Sequence, residues 1–269
     1  MSGGLIYEYD GSFEGFLCCV FESFEKREMP DAIVTPEQEQ ETLFSRKVIA
    51  ADGKKADRVF QSIPRKISGL AGDLVRKGFL TCLEEKELVL LRFLRLGFHY
   101  GAPVTDMLQN DTVSTLQKAV KFLENESHLT KEFLRFSVFG ESMAAEIEPK
   151  NFVLPLLAPH FCSRFYWQNF LIYDSVHGAA LVHSPGEDKI IPVESISFPA
   201  PDREEREYRE LWRQFYRTAA NESRCNPRCR MTHMPKHYWK HMTEFTPEPD
   251  PCAPAALPPD DGRGPGLIP

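Results

Sequence analysis

Several groups of residues in this chain have the types and spacing to do chemistry. His160 and Arg164 fall four apart, so on a helix they share a face, and the segment that follows brings Tyr173 and Asp174. An imidazole with a carboxylate and a guanidinium can move a proton at neutral pH and hold an anion. His160, Arg164 and Asp174 are therefore the catalytic candidates, with a structural hydrogen bond as the plain alternative for the histidine. The second group is larger. Between Leu211 and His241 stand Arg213, Arg217, Arg224, Arg228, Arg230, Lys236 and Lys240 against one acid, Glu222, with Trp212, Phe215, Tyr216, Tyr238 and Trp239 interleaved. Cations meet phosphates and aromatic faces accept unstacked bases, so this basic island in a chain of net charge −7 reads as a nucleic-acid surface. The competing reading of its first helix is a solvated face, with the arginines paired to Glu207 and Glu210 and Trp212 in the core.

Two further patterns concern anions and metals. Asp10-Gly11-Ser12-Phe13-Glu14-Gly15 sits where a strand meets a helix. Gly11 and Ser12 can offer free amides to a phosphate there, or Asp10 and Ser12 can satisfy those amides as a cap. Arg135 can reach a phosphate or pair across a hairpin with Glu146. Cys225, Cys229, His233, His237 and His241 recur every four residues, and two Cys with two His can complete a zinc tetrahedron. Pro227 and Pro235 break the helix that would align them, and finger-type intervals are absent, so no metal is assigned.

The elements that must position these groups follow from periodicity. Leu5–Tyr9 alternates as a strand, Asp10–Ser12 is turn chemistry, and Phe13–Lys26 carries apolar residues at helical spacing. Residues 28–47 are polar, and Val48–Ala51 suits a short second strand. Ala56 to about 125 is helical in pattern and reads as a subdomain. The period then changes. Phe133–Phe139 and Met143–Glu148 flank a Gly-containing turn as one hairpin, Phe170–Asp174 and Ala179–His183 make a second, and Lys189–Val193 adds a strand. Leu156–Phe165 predicts a short helix between them, Arg203–Glu222 a charged amphipathic helix, and Pro235 opens another through Met242. The expectation is an α+β protein, with a mixed or antiparallel sheet of hairpins packed by helices and a helical insertion. It forms one domain over 1–243, followed by a Pro-rich acidic disordered tail at 244–269.

Composition bounds what remains. At 269 residues, 42% hydrophobic and 26% charged, the chain can bury a sizeable core. No apolar run approaches the roughly 18 residues of a membrane span and no secretory start is present, so a cytoplasmic location without membrane contact is expected. Seven scattered cysteines, an odd number, suit free thiols. The absence of a Walker loop, dinucleotide fingerprint, nucleophile elbow or iron–sulfur cysteine triad leaves no cofactor to expect.

Several of these segments also carry a family resemblance, over nearly the whole chain apart from the tail. Tyr9–Leu17, His128 with Phe133-Leu134-Arg135-Phe136, and Pro155–Phe161 with Arg164-Phe165 are its first part. Asn169–Asp174, Leu211–Arg217, and Arg228 with Met234–Lys240 continue it. In these the chain resembles bacterial proteins of DNA metabolism or DNA repair built on a domain of unknown function. The resemblance implies association with a radical-SAM protein acting on DNA, and occurrence of the same domain fused to uracil-DNA glycosylase-like domains. It defines no activity of its own. The sequence reading is accordingly a DNA-binding accessory to a radical-SAM enzyme. The alternatives are an enzyme on nucleic acid or a nucleobase through His160, Arg164 and Asp174, or a protein-interaction scaffold without DNA contact.

Overall fold

The strand formers Leu5-Ile6-Tyr7-Glu8 produce β1 (Leu5–Glu8), in which adjacent Ile6 and Tyr7 point to opposite faces and are both buried, as suits the centre of a three-stranded parallel sheet. Its neighbours are β2 (Ala32–Val34) and β3 (Ser45–Val48), in the order β2-β1-β3. The computed structural model describes residues 4–36, 45–219 and 226–245. The strand expected at 48–51 lies instead at 45–48. Its polar residues are useful at a sheet edge, where Lys47 Nζ reaches Glu22 (2.9 Å) and Glu28 (2.5 Å), and Tyr7 donates its hydroxyl to Glu28 (2.6 Å). Only three residues long, β2 has no alternation to read and falls inside the stretch taken as polar.

Helices cover this sheet and continue beyond it. α1 (Phe13–Glu25) follows β1, and α2 (Gly53–Lys66), α3 (Gly69–Phe79), α4 (Lys86–Tyr100) and α5 (Asp111–Phe133) succeed one another, each of α2, α3 and α5 opened by a capping Asp52, Ser68 or Asn110. Their apolar faces meet in one core that includes Tyr7, Phe16, Ile63, Leu91, Phe93 and Leu116. The expected strand from Phe133 is corrected. α5 runs to Phe133 because its buried stripe continues past Leu123 through Glu126, Ser127 and Thr130, so the helix persists on residues that hydrophobicity does not flag. Only β4 (Ser137–Phe139) remains of that strand.

The second sheet has the order β4-β5-β6-β7-β8, with β5 (Ser142–Ile147), β6 (Asn169–Asp174), β7 (Ala179–Ser184) and β8 (Glu187–Pro192). β5 and β6 are parallel and joined by α6 (Leu154–Arg164); the other pairings are antiparallel. A second core lies under α6, where Phe136 meets Phe161, Phe165 and Phe170 edge-on at 5.4–5.6 Å. The α+β class with hairpins and packed helices is what the chain adopts.

One buried polar knot ties α5 to both neighbouring segments. Glu126, almost fully buried, accepts from the Lys150 amide (2.8 Å), the Asn151 amide (2.9 Å) and the Asn151 side-chain nitrogen (2.6 Å). Asn151 in turn accepts from the Cys82 amide (2.9 Å), and the Phe152 amide donates to Leu80 (2.9 Å). A carboxylate without water is stable only when donors fill its lone pairs, as here.

These elements belong to a unit spanning Met1–Pro199; Ala200–Pro269 forms a second unit. The second contains α7 (Arg203–Ala219), α8 (Pro227–His233) and a 3-10 helix at Lys236–His241, where Pro235 had predicted an α-helix. Of the tail, residues 246–269 lie outside the described residues. No described helix is long and apolar enough to cross a membrane.

Candidate functional site

In the second unit the arginines of α7 divide into two kinds. Arg203, Arg209 and Arg213 pair along the helix with Glu207, Glu205 and Glu210, and Arg213 is buried, its Nε donating to the Thr243 carbonyl (3.2 Å). Arg213 thus holds the unit together. Arg217, on the same helix, is exposed, as are Arg228, Lys236 and Lys240. Arg230 lies over the rings of Trp239 (5.2 Å) and Phe245 (5.4 Å), which stack on each other at 4.6 Å, so this part of the basic run is packing. Tyr238 is half-buried against His237. Arg224 and Cys225 lie outside the described residues.

Of the α7 aromatics, Tyr216 packs on Phe245 at 5.5 Å, whereas Tyr208, Leu211, Trp212 and Phe215, which share one face through steps of three and four residues, are exposed, Trp212 by 41% and Phe215 by 60%. Trp212 and Phe215 sit 5.7 Å apart, and the indole nitrogen of Trp212 donates to Glu244 (3.1 Å). The aromatic stripe is a face on which bases can stack, while Arg206 and Arg217, eleven residues apart, stand on the opposite side of the same helix.

In the first unit the residues expected to form a pocket have separate partners. Asp174 is fully buried and caps the β6–β7 turn, accepting from the Val176 and His177 amides (both 3.1 Å) and meeting His177 Nδ1 at 2.7 Å. His160 is exposed on α6; partial desolvation of its ring, then the charges of Lys131 and Arg164, hold it below the usual histidine range. Arg164 lies over the Phe165 ring at 5.7 Å. Gly11 has φ +79°, and Ser12 caps α1, its Oγ accepting from the Gly15 amide (2.9 Å) while Asp10 accepts from the Ser12 amide (3.0 Å) and hydroxyl (2.7 Å). The cap occupies the groups that a phosphate would need. Arg135 donates to the carbonyls of Glu132 (3.1 Å) and Leu134 (3.2 Å) at the end of α5.

What the fold does bring together is Cys162, His183 and Asp188, whose donor atoms lie within 4.8 Å of one another. α6 supplies Cys162. The turn through Pro185 and Gly186, with Gly186 at φ +86°, sets His183 of β7 directly opposite Asp188 of β8. His183 is only 2% exposed; it stacks on Phe170 (4.7 Å), and its Nε2 lies 3.2 Å from the Tyr166 carbonyl. Its Nδ1 lies 2.5 Å from Asp188 Oδ1. Burial and the hydrogen bond to Asp188 push the Cys162 thiol up to about 11, and the contact with His183 holds Asp188 below the ordinary carboxylate range. Reading by sequence spacing missed this set because its members are 21 and 5 residues apart on three elements. The available signal was His183 itself, standing at an inward position of β7 after Ala179 and Leu181.

The molecule is thus an α+β protein with an exposed basic and aromatic helical unit and a cluster of a buried thiol and imidazole with an exposed carboxylate, features that no single enzyme class owns. Residues 84–244, well over half of the chain, match DUF4130, a domain of unknown function, and the chain belongs to that family. No curated protein and no solved structure matches it.

Proposed function

We propose that this protein binds nucleic acid, single strands above all, through the surface of its second unit, as an accessory to a radical-SAM enzyme that acts on DNA. The observation that carries the binding is the exposed run Tyr208, Trp212 and Phe215 on the helix that also presents Arg206 and Arg217, with Arg228, Lys236 and Lys240 exposed on the following segments. Flat rings left in water cost free energy unless a partner covers them, and unstacked bases are the flat partner that also brings the negative charge these cations match. The radical-SAM association rests on the family resemblance of the sequence. Catalysis through His160, Arg164 and Asp174 gains no support from the geometry, because Asp174 is committed to its turn and to His177.

Fluorescence anisotropy with single- and double-stranded DNA across a salt series tests this reading. The expected result is single-strand binding that weakens steeply with salt. The double variant Arg228→Glu/Lys236→Glu lowers both affinity and salt slope, each lost phosphate contact removing about 0.7 from the slope. Phe215→Ala weakens single-strand binding by about tenfold, equivalent to about 1.4 kcal/mol, and leaves duplex binding nearly unchanged. No binding at low salt, or equal binding by the charge-reversed protein, would overturn the proposal and favour a protein-docking surface.

A further inference from the structure

The Cys162–His183–Asp188 cluster gathers three metal-ligating groups from three elements, α6, β7 and β8. A carbonyl oxygen can only accept, so Tyr166 O is a partner for a proton on His183 Nε2. In that neutral tautomer Nδ1 keeps the lone pair a metal ion takes, on the side of the ring where Asp188 stands; without metal, a proton on Nδ1 makes the 2.5 Å contact. The thiol of Cys162 completes the set from the helix side.

We infer that Cys162 Sγ, His183 Nδ1 and an oxygen of Asp188 form a three-ligand site for a divalent transition-metal ion of the zinc type. Thiolate, imidazole and carboxylate are the ligands zinc takes, and three protein donors leave one tetrahedral position for water or an anion. With bonds of about 2.0–2.3 Å, tetrahedral donors lie about 3.3–3.8 Å apart, within the spread this cluster already has. The adjustment falls on Asp188, whose side chain is 51% exposed and free to swing outward, while the buried Cys162 and His183 stay in place. The surroundings fit a metal-bound histidine in a further respect. Such a ring ordinarily donates its second N–H to a carboxylate or backbone carbonyl, which fixes its orientation; Tyr166 O is in that position, and Phe170 holds the ring face. This site is separate from the nucleic-acid surface proposed above and does not depend on it.

The test uses the full chain freed of metal, titrated with Co²⁺, with absorption read in the near ultraviolet for sulfur-to-cobalt charge transfer and in the visible for tetrahedral d–d bands. The expected result is one Co²⁺ per chain with both signatures, displaced by Zn²⁺. Cys162→Ser removes the charge-transfer band. Asp188→Ala, at an exposed position that leaves the core intact, weakens binding by more than about tenfold. Cys229→Ser separates this site from the Cys and His residues of the second unit and leaves both signatures unchanged. Absence of Co²⁺ binding, a charge-transfer band that survives in Cys162→Ser, or one that disappears in Cys229→Ser would each overturn the assignment. Circular dichroism of the variants confirms that any loss is not a loss of fold.

Discussion

Glu126 and Asp188 are both carboxylates held against polar atoms of the first unit, and they meet opposite company. Around Glu126 every described contact is a donor: two backbone amides and a side-chain amide. Around Asp188 the nearest atom is a titratable ring nitrogen, His183 Nδ1, and the side chain stands half in water. The first carboxylate is enclosed by fixed donors and is completed by folding alone, whereas the second is held at the surface by a partner that gives up its proton or trades it for a metal ion.

The sharpest way to break this comparison is to make the same change at both places. Glu126→Gln sets an amide N–H₂ against a backbone donor, and the expected loss is about 2 kcal/mol of stability by urea denaturation. Asp188→Asn keeps a side-chain oxygen able to accept from His183 Nδ1, and its amide N–H₂ turns to the water that already reaches this half-exposed position. Measured without metal, its expected effect lies within about 0.5 kcal/mol of zero. Comparable losses in the two variants would show that the carboxylates play the same structural part. The smallest effect is one of pH. A thiol raised to about 11 in the folded chain from an ordinary 9.0 contributes stability that is present below pH 9 and lost as pH rises through 11. In metal-free protein the decline in stability across that window is therefore expected to be shallower in Cys162→Ser than in wild type, by thermal unfolding at fixed ionic strength.

Much of the architecture was legible because it rests on local signals. The strand formers of Leu5–Glu8, the cap at Ser12, and the hairpin of Phe170–Asp174 with Ala179–His183 each act within a few residues and leave a pattern in the chain. The errors fall where tertiary contacts override that pattern. α5 outlasts its apolar stripe because Glu126 finds donors 24 and 25 residues away, and β3 forms on Lys47 because two glutamates await it. The site residues divide in the same way. Exposed cations such as Arg217 and Arg228 were visible as charge, and Arg213 was indistinguishable from them until its contact with Thr243 was known. Cys162, His183 and Asp188 converge only through the crossover of α6 and the register of β7 with β8, neither of which spacing along the chain encodes.

The Glu126 knot also determines how this chain can be cut. The DUF4130 match begins at residue 84, yet Asn151 accepts from the amide of Cys82 and Phe152 donates to the carbonyl of Leu80, both upstream of that boundary. A fragment trimmed to the matched range would leave an orphaned acceptor and an orphaned donor at the base of α6, and it would lose α3, against which α5 packs. The matched range therefore cuts through hydrogen bonds that the first unit makes, and expression work on this protein should keep the residues upstream of it.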